Sequence, residues 1–284
     1  MPVTLSPLRY PGGKTQLAPL VIEILRSNGL FHGQYIEPFA GGAGIACKLL
    51  LEGYVSRIHI NDLDPAIYSF WWSILAEPDR FCRRIESTKI TMAEWRRQKR
   101  VQDRADADPF ALGFSTFFLN RTNRSGIISG GVIGGQEQKG DYPLDCRFNK
   151  KDLIRKIERL AARAEDISVT NLDGRAFLKR MNDRVIPQAL VNIDPPYFQK
   201  GPELYRNSFE AKDHQKLAAA VAGVKPLWMV TYDDTKETRG LYGRFPRYSL
   251  ALHYWAQVKR IGVELLVLDP RLKVPRVMLN PMAA

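Results

Sequence analysis

The sequence predicts an α/β protein whose mostly parallel sheet is interrupted by an inserted second domain. Short runs of β-branched and aromatic residues alternate with helical patterns, which is typical of a parallel sheet. One run ends in Asp-Pro-Pro at residues 194–196, where neither proline has an N–H to donate, so that strand must stop there. The alternation breaks between residues 70 and 163, where the chain is rich first in Trp and Arg and then in Gly. We therefore assign residues 1–69 and 164–284 to the sheet domain and residues 70–163 to the insertion.

Each strand is predicted from its β-branched content and the turn residues beside it. The predicted strands are residues 34–37, 57–61, 167–171, 189–193, 227–232, 248–254 and 263–268. A helix is expected over residues 15–27, because its apolar residues recur on one face. Another helix is expected between Asp213 as N-cap and Gly223 as C′ residue. An amphipathic helix at residues 153–160 closes the insertion.

The charge of the chain indicates a polyanionic partner. The net charge is +12 and the pI is near 9.7. Residues 79–163 hold 19 Lys and Arg against 11 Asp and Glu, so this segment carries +8 of the +12. Basic residues that neutralise phosphates gain from counterion release, which favours nucleic acid as the partner. A solvated basic helix face is the alternative interpretation.

Composition argues against several other classes of protein. A hydrophobic content of 45% fits a folded globule rather than a disordered chain. Cys47, Cys82 and Cys146 are odd in number and widely spaced, which fits neither a disulfide framework nor a zinc cluster and favours a reducing cytoplasm. The four histidines have no metal-ligand spacing, so no metal is expected. We also expect no targeting signal and no membrane span, because no apolar run is long enough.

The motif Asp194-Pro195-Pro196-Tyr197 suits the recognition of a planar amino group. Its stiff turn frees the Asp194 carboxylate and the Pro195 carbonyl to accept hydrogen bonds, and it presents the Tyr197 ring for stacking. Two acceptors beside a ring suit the exocyclic amine of a nucleobase. Taken alone, the motif could equally be a rigid turn with a half-buried tyrosine.

A glycine turn and an acidic residue together indicate a nucleoside pocket. Phe39, Gly41, Gly42 and Gly44 lie between a strand and a helix, where glycines allow the backbone to approach a ligand closely. Asp62 ends the next strand, and an acidic side chain there can accept both ribose hydroxyls. These residues do not distinguish a nicotinamide cofactor from S-adenosylmethionine.

The turn at residues 10–15 suits a carboxylate ligand. Its Gly-Lys-Thr ending imitates a phosphate-binding loop, but Leu8 stands where that loop needs a glycine. Tyr10, Gly12, Gly13 and Lys14 still provide a flexible turn with a ring and an ammonium group beside a helix start.

A polar, glycine-rich loop at residues 120–135 of the insertion suits entry into a DNA groove. Arginines bind phosphates and base edges, and a glycine-rich hairpin can bend. An ordinary surface loop is the alternative interpretation. The residues expected to contact DNA are Asn120, Arg121, Arg124, Ser125, Ile127 and Ser129.

The order of these motifs resembles the Dam-like, D12-class family of DNA adenine-N6 methyltransferases. The resemblance covers nearly the whole chain, including residues 171–174, 201–205 and 259–266. It implies a Rossmann-like class I methyltransferase sheet of seven strands, with the last strand inserted antiparallel. It further implies that the sheet domain binds S-adenosylmethionine and carries catalysis, and that the insertion is a mainly helical target-recognition domain for double-stranded DNA.

The resemblance also implies roles for the cofactor residues. The turn with Tyr10 and Lys14 would flank the methionyl part of S-adenosylmethionine, and residues 39–44 would form the floor beneath it. Asp62 would hold the ribose. Asp173 would contact the adenine of the cofactor.

The same resemblance assigns the catalytic motif. Asp194 and the Pro195 carbonyl would accept both N6–H bonds as positive charge develops on the nitrogen, and Tyr197 would stack on the flipped base. Relatives with GATC specificity commonly carry an aromatic wedge followed by Asn-Gly, where this chain has Arg124-Ser125-Gly126, and a guanine-reading arginine where it has Ser129. We therefore predict a different or looser adenine site than GATC.

Three alternatives stay open from the residues alone. N4-cytosine methylation is possible, because cytosine also offers an exocyclic amine. A non-catalytic DNA-binding protein is disfavoured by the intact Asp62 and Asp194. An NAD-dependent oxidoreductase would leave the charge of the insertion unexplained. For the leading hypothesis we expect a monomer or weak dimer, cytoplasmic and nucleoid-associated in a prokaryotic or phage-infected cell, with a possible cognate restriction nuclease.

Overall fold

The computed structural model describes residues 4–9, 14–198, 209–255 and 259–274. Its seven strands are β1 Gln34–Glu37, β2 Arg57–Asn61, β3 Ile167–Thr170, β4 Ala189–Ile193, β5 Leu227–Asp233, β6 Arg247–Trp255 and β7 Lys259–Leu268. They form one sheet in the order β3-β2-β1-β4-β5-β7-β6. Strands β1 to β5 run parallel, and β7 lies antiparallel between β5 and β6. This arrangement confirms the predicted class I methyltransferase sheet.

The helices cover both faces of the sheet and form the insertion. They are α1 Ala18–Ser27, α2 Gly44–Leu51, α3 Pro65–Ala76, α4 Pro78–Ser87, α5 Met92–Gln102, α6 Pro109–Thr122, α7 Lys150–Ala161, α8 Gly174–Asn182, α9 Ala211–Val221 and α10 Lys236–Leu241. Within the described ranges no helix is both long and apolar enough to cross a membrane.

Two predicted helix starts differ from the structure. The helix expected over residues 15–27 opens with a 3₁₀ turn at Lys14–Leu17, and α1 follows with a proline in its first turn. Asp213 is the third residue of α9 rather than its N-cap, because its carboxylate accepts a hydrogen bond from the backbone N–H of the true N-cap, Glu210. The two residues form a capping box, which satisfies two N–H groups at the helix start.

Side chains alternate between the two faces of the central strands. Tyr35 and Leu190 are buried in the cluster that packs α1, α2 and α3 on one face, whereas Ile36 and Val191 belong to the cluster of α8 and α9 on the other. Successive residues of a strand point to opposite faces, so both faces of β1 and β4 must be apolar. The carboxyl ends of these strands are therefore held rigidly from both sides.

The insertion packs around a cluster of aromatic rings, the first of which, Phe70, belongs to α3. Phe70 lies 6.0 Å from both Phe81 and Phe117, and Phe117 lies 5.4 Å from Phe148, measured between ring centroids. The predicted boundary between residues 69 and 70 therefore falls inside a continuous helix. The break in the sequence pattern marked a change of packing partner, not the end of an element.

Candidate active site

The described residues among the predicted cofactor and catalytic groups lie at the carboxyl edge of the sheet, where the strand order changes direction. Strand β1 pairs with β2 on one side and with β4 on the other. Ligands of open α/β sheets bind at such a switch point. The glycine turn after β1, Asp62 after β2 and Asp194 after β4 consequently lie on three adjacent strands.

The glycine turn is held in place by two side chains from neighbouring elements. The backbone N–H of Gly41 donates to Asp62 Oδ2 at 2.8 Å, and the indole N–H of Trp71 donates to the Gly41 carbonyl at 3.0 Å. Trp71 belongs to α3, so the helix that leads into the insertion also fixes the glycine turn. This role of Trp71 cannot be predicted from the sequence, because its spacing shows only that it faces a core.

Asn61 ties together the loops that follow β1 and β3. Its amide nitrogen donates to the carbonyls of Pro38 and Leu172 at 3.0 and 2.9 Å. Its amide oxygen accepts from the backbone N–H of Leu172 at 2.9 Å and from the Thr170 hydroxyl at 2.7 Å. A fully bonded buried amide of this kind fixes the geometry of the loops around it.

Asp62 has the hydrogen-bonding capacity that a ribose requires. Each of its carboxylate oxygens accepts one backbone N–H, from Gly41 at 2.8 Å and from Asp64 at 2.9 Å. A carboxylate oxygen can accept a second bond, so two hydroxyl groups can still be bound. Burial raises the pKa of Asp62 to about 6, although the two N–H donors oppose that shift. The group is therefore ionised at neutral pH, as an acceptor must be.

The Phe39 ring lies against the start of α8, next to Asp173. A Cβ atom at Gly174 would lie 2.4 Å from Phe39 Cζ, so only glycine allows the ring to sit against the start of α8. Asp173 caps that helix by accepting the N–H of Arg175 at 2.9 Å, and it forms an ion pair with the Arg175 guanidinium at 3.0 Å. Its side chain stays 36% exposed, which leaves it accessible to a ligand.

Only part of the predicted turn at residues 10–14 can be placed. Tyr10, Gly12 and Gly13 lie outside the described residues. Lys14 begins the 3₁₀ turn that packs directly on the glycine turn, since a Cβ at Gly44 would lie 2.4 Å from Thr15 Oγ1. The close approach explains why a glycine stands at the start of α2.

Asp194 is held by one of its two carboxylate oxygens. Lys14 Nζ lies 2.7 Å from Asp194 Oδ1, and the Thr231 hydroxyl donates to the same oxygen at 2.8 Å. Among the described residues, Asp194 Oδ2 has no hydrogen-bond partner. The side chain of Lys14 is 3% exposed and that of Asp194 is 28% exposed, so the fixed oxygen faces the interior and the carboxylate still reaches solvent.

Tyr197 is fixed by a residue that the sequence analysis did not assign. Its hydroxyl donates to Glu264 Oε1 at 2.7 Å, and Glu264 Oε2 lies 3.0 Å from Lys14 Nζ. The ring is 7% exposed, which is more buried than the predicted stacking surface suggested. Glu264 lies on β7, and its place in the sequence offers no signal that it meets Lys14.

The glycine-rich loop at residues 120–135, here named the recognition loop, contains three predicted DNA contacts in its exposed part. Arg124, Ser125 and Ser129 are exposed, and Ile127 is partly buried. The loop has a single isolated bridge, from Asn123 to Val132, so it is not the regular hairpin that the glycine content suggested.

Asn120 and Arg121 are buried, which differs from the outward position expected for DNA contacts. Asn120 accepts the N–H of Arg9 at 2.8 Å and donates to the Gly126 carbonyl at 2.9 Å. The Arg121 guanidinium donates to the Pro7 carbonyl, and burial lowers its pKa to about 9. Both side chains therefore hold the segment before Lys14 against α6, a role that sequence proximity could not indicate.

Comparison with known proteins places the chain among DNA methyltransferases. The model of the D12 class N6 adenine-specific DNA methyltransferases matches residues 10–257. The Type II methyltransferase M.MjaIII of Methanocaldococcus jannaschii is 22% identical over 207 residues, which cover 67% of this chain and 68% of that protein. The solved structure of the rRNA methyltransferase aviRa from Streptomyces viridochromogenes has a TM-score of 0.39 and 17% identity, and covers 91% of this chain and 85% of that one.

The sheet topology and the family match together define a class I methyltransferase that acts on DNA. Because the family model spans most of the chain, the protein belongs to the D12 class N6 adenine-specific DNA methyltransferases. The enzyme is therefore an adenine-N6 DNA methyltransferase.

Proposed function

We propose that Asp194 grips the N6 amine of an adenine flipped out of duplex DNA while a methyl group is transferred from S-adenosylmethionine. The observation that supports this most directly is the asymmetry of the carboxylate. Lys14 and Thr231 both bind Oδ1, so Oδ2 is the oxygen available to a substrate N–H.

The cofactor would occupy the pocket between the glycine turn and the start of α8. S-adenosylmethionine, when bound, supplies an electrophilic sulfonium methyl group. Asp62 would accept the two ribose hydroxyls through its remaining lone pairs. Phe39 would form an apolar floor, and the partly exposed Asp173 would accept a hydrogen bond from the cofactor adenine. The turn at residues 10–14 would enclose the methionyl end.

The protein would activate N6 by hydrogen bonding. The N6 lone pair is delocalised into the base, and acceptors on both N6–H bonds draw the nitrogen toward tetrahedral geometry. Asp194 Oδ2 and the Pro195 carbonyl would be those acceptors, and the carboxylate would stabilise positive charge as the N–methyl bond forms. The surplus N6 proton would leave to Asp194, which is partly exposed and can pass it to water. Pro196 would keep the turn rigid, and one face of Tyr197 would stack on the base.

Recognition of the DNA would be carried by the exposed part of the loop. Arg124, Ser125 and Ser129, with the partly buried Ile127, are positioned to meet phosphates and base edges. The residues at 124–126 and 129 differ from those that read GATC, so we propose a different or looser target. The relative from M. jannaschii is named a Type II methyltransferase. We propose that this protein likewise has a cognate nuclease and that it is a monomer or weak dimer.

The proposal is tested by expression in a host that lacks DNA methylation. Digested DNA should contain N6-methyladenine by mass spectrometry, and sequencing of modified bases should show a motif other than GATC alone. Asp194→Ala should abolish methylation while duplex binding stays within about twofold, because the acceptor is lost and the loop is untouched. Asp183→Ala removes an exposed carboxylate at the end of α8 and serves as the matched control. Detection of N4-methylcytosine without N6-methyladenine would contradict the proposal, and so would full activity of Asp194→Ala.

A further inference from the structure

We propose that Glu264 of β7 is a positioning residue, which sets the charge around Asp194 and the orientation of Tyr197 for methyl transfer. The inference rests on the proposed function, because it concerns the same reaction. Glu264 itself would touch neither the base nor the cofactor. It would act through Tyr197, which would contact the base, and through Lys14, which holds the base-binding Asp194.

Each carboxylate oxygen of Glu264 serves a different part of the site. Oε1 accepts the hydroxyl of Tyr197 at 2.7 Å, and Oε2 forms an ion pair with Lys14 at 3.0 Å. The residue is 2% exposed. A carboxylate this deeply buried is retained only where its partners compensate the cost of removing it from water, and here both partners belong to the site.

The first consequence concerns charge. Lys14 Nζ lies between two carboxylates, 2.7 Å from Asp194 Oδ1 and 3.0 Å from Glu264 Oε2. The three groups together carry one negative charge. Without Glu264 the cluster would lose one negative charge, and the charge of Lys14 would act more strongly on Asp194. Charges interact strongly in a poorly solvated interior, so Asp194 would then stabilise positive charge on N6 less well.

The second consequence concerns the aromatic end of the motif. The Tyr197 hydroxyl is bound to β7, and its ring centroid lies 5.1 Å from Lys14 Nζ. The next residue, Phe198, donates its backbone N–H to Asp233 Oδ1 at 2.9 Å. Asp233 on β5 is paired directly with Glu264 in the sheet. Two residues paired across β5 and β7 therefore hold Tyr197 and Phe198.

Substitutions of Glu264 can separate its charge from its shape. Glu264→Gln keeps an oxygen that can accept the Tyr197 hydroxyl but removes the negative charge. Glu264→Asp keeps the charge on a side chain one methylene shorter. Asp269→Asn is the matched control, because Asp269 is also 2% exposed, follows the same strand and is ion-paired, with Arg271. All three variants disturb a buried carboxylate, and only the first two disturb the site.

The measurements are the single-turnover rate of adenine methylation, the Kd of S-adenosylhomocysteine and the melting temperature. Glu264→Gln should slow methylation at least about 10-fold, which is less than the roughly 100- to 1,000-fold loss of a direct transition-state contact because Glu264 acts through Lys14. The Kd should change by less than about 3-fold, because no cofactor contact is removed. Glu264→Asp should recover most of the rate. Asp269→Asn should lower the melting temperature comparably while its rate stays within about twofold of wild type.

The inference is overturned if Glu264→Gln methylates at the wild-type rate, or if its rate falls only as far as that of Asp269→Asn at equal loss of stability. A Glu264→Asp variant as slow as Glu264→Gln would likewise exclude the role of charge. Failure of the proposed function is a separate result, since the wild-type protein itself would then produce no N6-methyladenine.

Discussion

At the scale of single residues, the site includes one carboxyl group that burial keeps mostly neutral. Glu37 ends β1 beneath the glycine turn and is 6% exposed. Burial raises its pKa to about 8, and the nearby Asp194 carboxylate raises it further, against hydrogen bonds that lower it. At neutral pH Glu37 is therefore mostly protonated and adds little negative charge to the cluster around Lys14.

Glu37 should make the stability of the protein depend on pH. The folded-state pKa lies above the usual value of 4.5, so the folded protein binds more protons than the unfolded chain between pH 4.5 and about 8. This contribution to the free energy of unfolding should fall as pH rises through that window, by up to about 1.4 kcal/mol per pH unit. In Glu37→Gln this contribution should disappear and the slope between pH 6 and 8 should flatten, whereas Glu86→Gln on the exposed face of α4 should keep the wild-type slope. Urea unfolding at pH 5, 6, 7 and 8 measures the free energy of unfolding of each variant. Parallel plots of that free energy against pH for Glu37→Gln and wild type would refute the prediction.

At the scale of elements, α6 joins the recognition loop to the segment that leads into Lys14. Asn120 forms that junction, because one amide group binds both Arg9 and the Gly126 carbonyl. Gly126 itself cannot carry a side chain, since a Cβ there would lie 2.5 Å from the Arg9 carbonyl oxygen. The loop proposed to meet DNA and the segment that leads into Lys14 are thus anchored on one helix end.

Removal of this junction should weaken the binding of both duplex DNA and S-adenosylhomocysteine. We expect Asn120→Ala to lower duplex affinity and S-adenosylhomocysteine affinity each by about 5-fold or more, because lost buried hydrogen bonds cost about 1 to 3 kcal/mol and free the loop. Asn182→Ala is the matched control, since Asn182 likewise bridges backbone groups, of Gly223 and Lys225, at 2.9 Å each. Fluorescence anisotropy and titration calorimetry provide the two affinities. Equal effects of the two substitutions would show that the junction is only structural.

The elements also show what sequence can and cannot predict. All seven strands could be predicted, because a parallel sheet buried on both faces requires apolar runs that end at turn residues. The glycine turn, Asp62 and the motif at residues 194–197 could be found for the same reason, since they follow strand ends directly. Glu264, Trp71 and Thr231 were not visible, because each meets the site through tertiary packing. Asn120 and Arg121 looked like DNA contacts by composition, and only the fold shows that the segment at residues 7–9 covers them.

At the scale of the whole molecule, part of the excess positive charge lines a cleft in the insertion. A cavity of about 470 Å³ opens between α4 and α5. Its basic residues are Arg84, Lys89, Arg97 and Arg100, with Glu94 as the single acidic neighbour among the described lining residues. Trp95 of the same α5 binds Asn123 of the recognition loop at 2.7 Å. Duplex DNA held at the loop would therefore continue toward a positive surface.

This cleft should contribute to the salt dependence of DNA binding. Lys89→Ala with Arg100→Ala should reduce the slope of log K against log salt by roughly 2, because each phosphate contact contributes about 0.9. Lys179→Ala with Arg180→Ala removes the same two charge types from the exposed end of α8 and should leave the slope unchanged. Anisotropy titrations from about 50 to 200 mM salt distinguish the outcomes. Identical slopes for both double variants would place the DNA elsewhere.

The position of β7 has a consequence for how activity arises during folding. Lys14 precedes the first strand of the sheet, Asp194 follows the fourth and Glu264 belongs to the seventh, which must slide between β5 and β6. A partly folded chain without β7 leaves Lys14 opposed to Asp194 alone and Tyr197 without its anchor. Full methyl-transfer activity would then require the completed sheet, so molecules in which β7 is not yet in place would mark DNA more slowly.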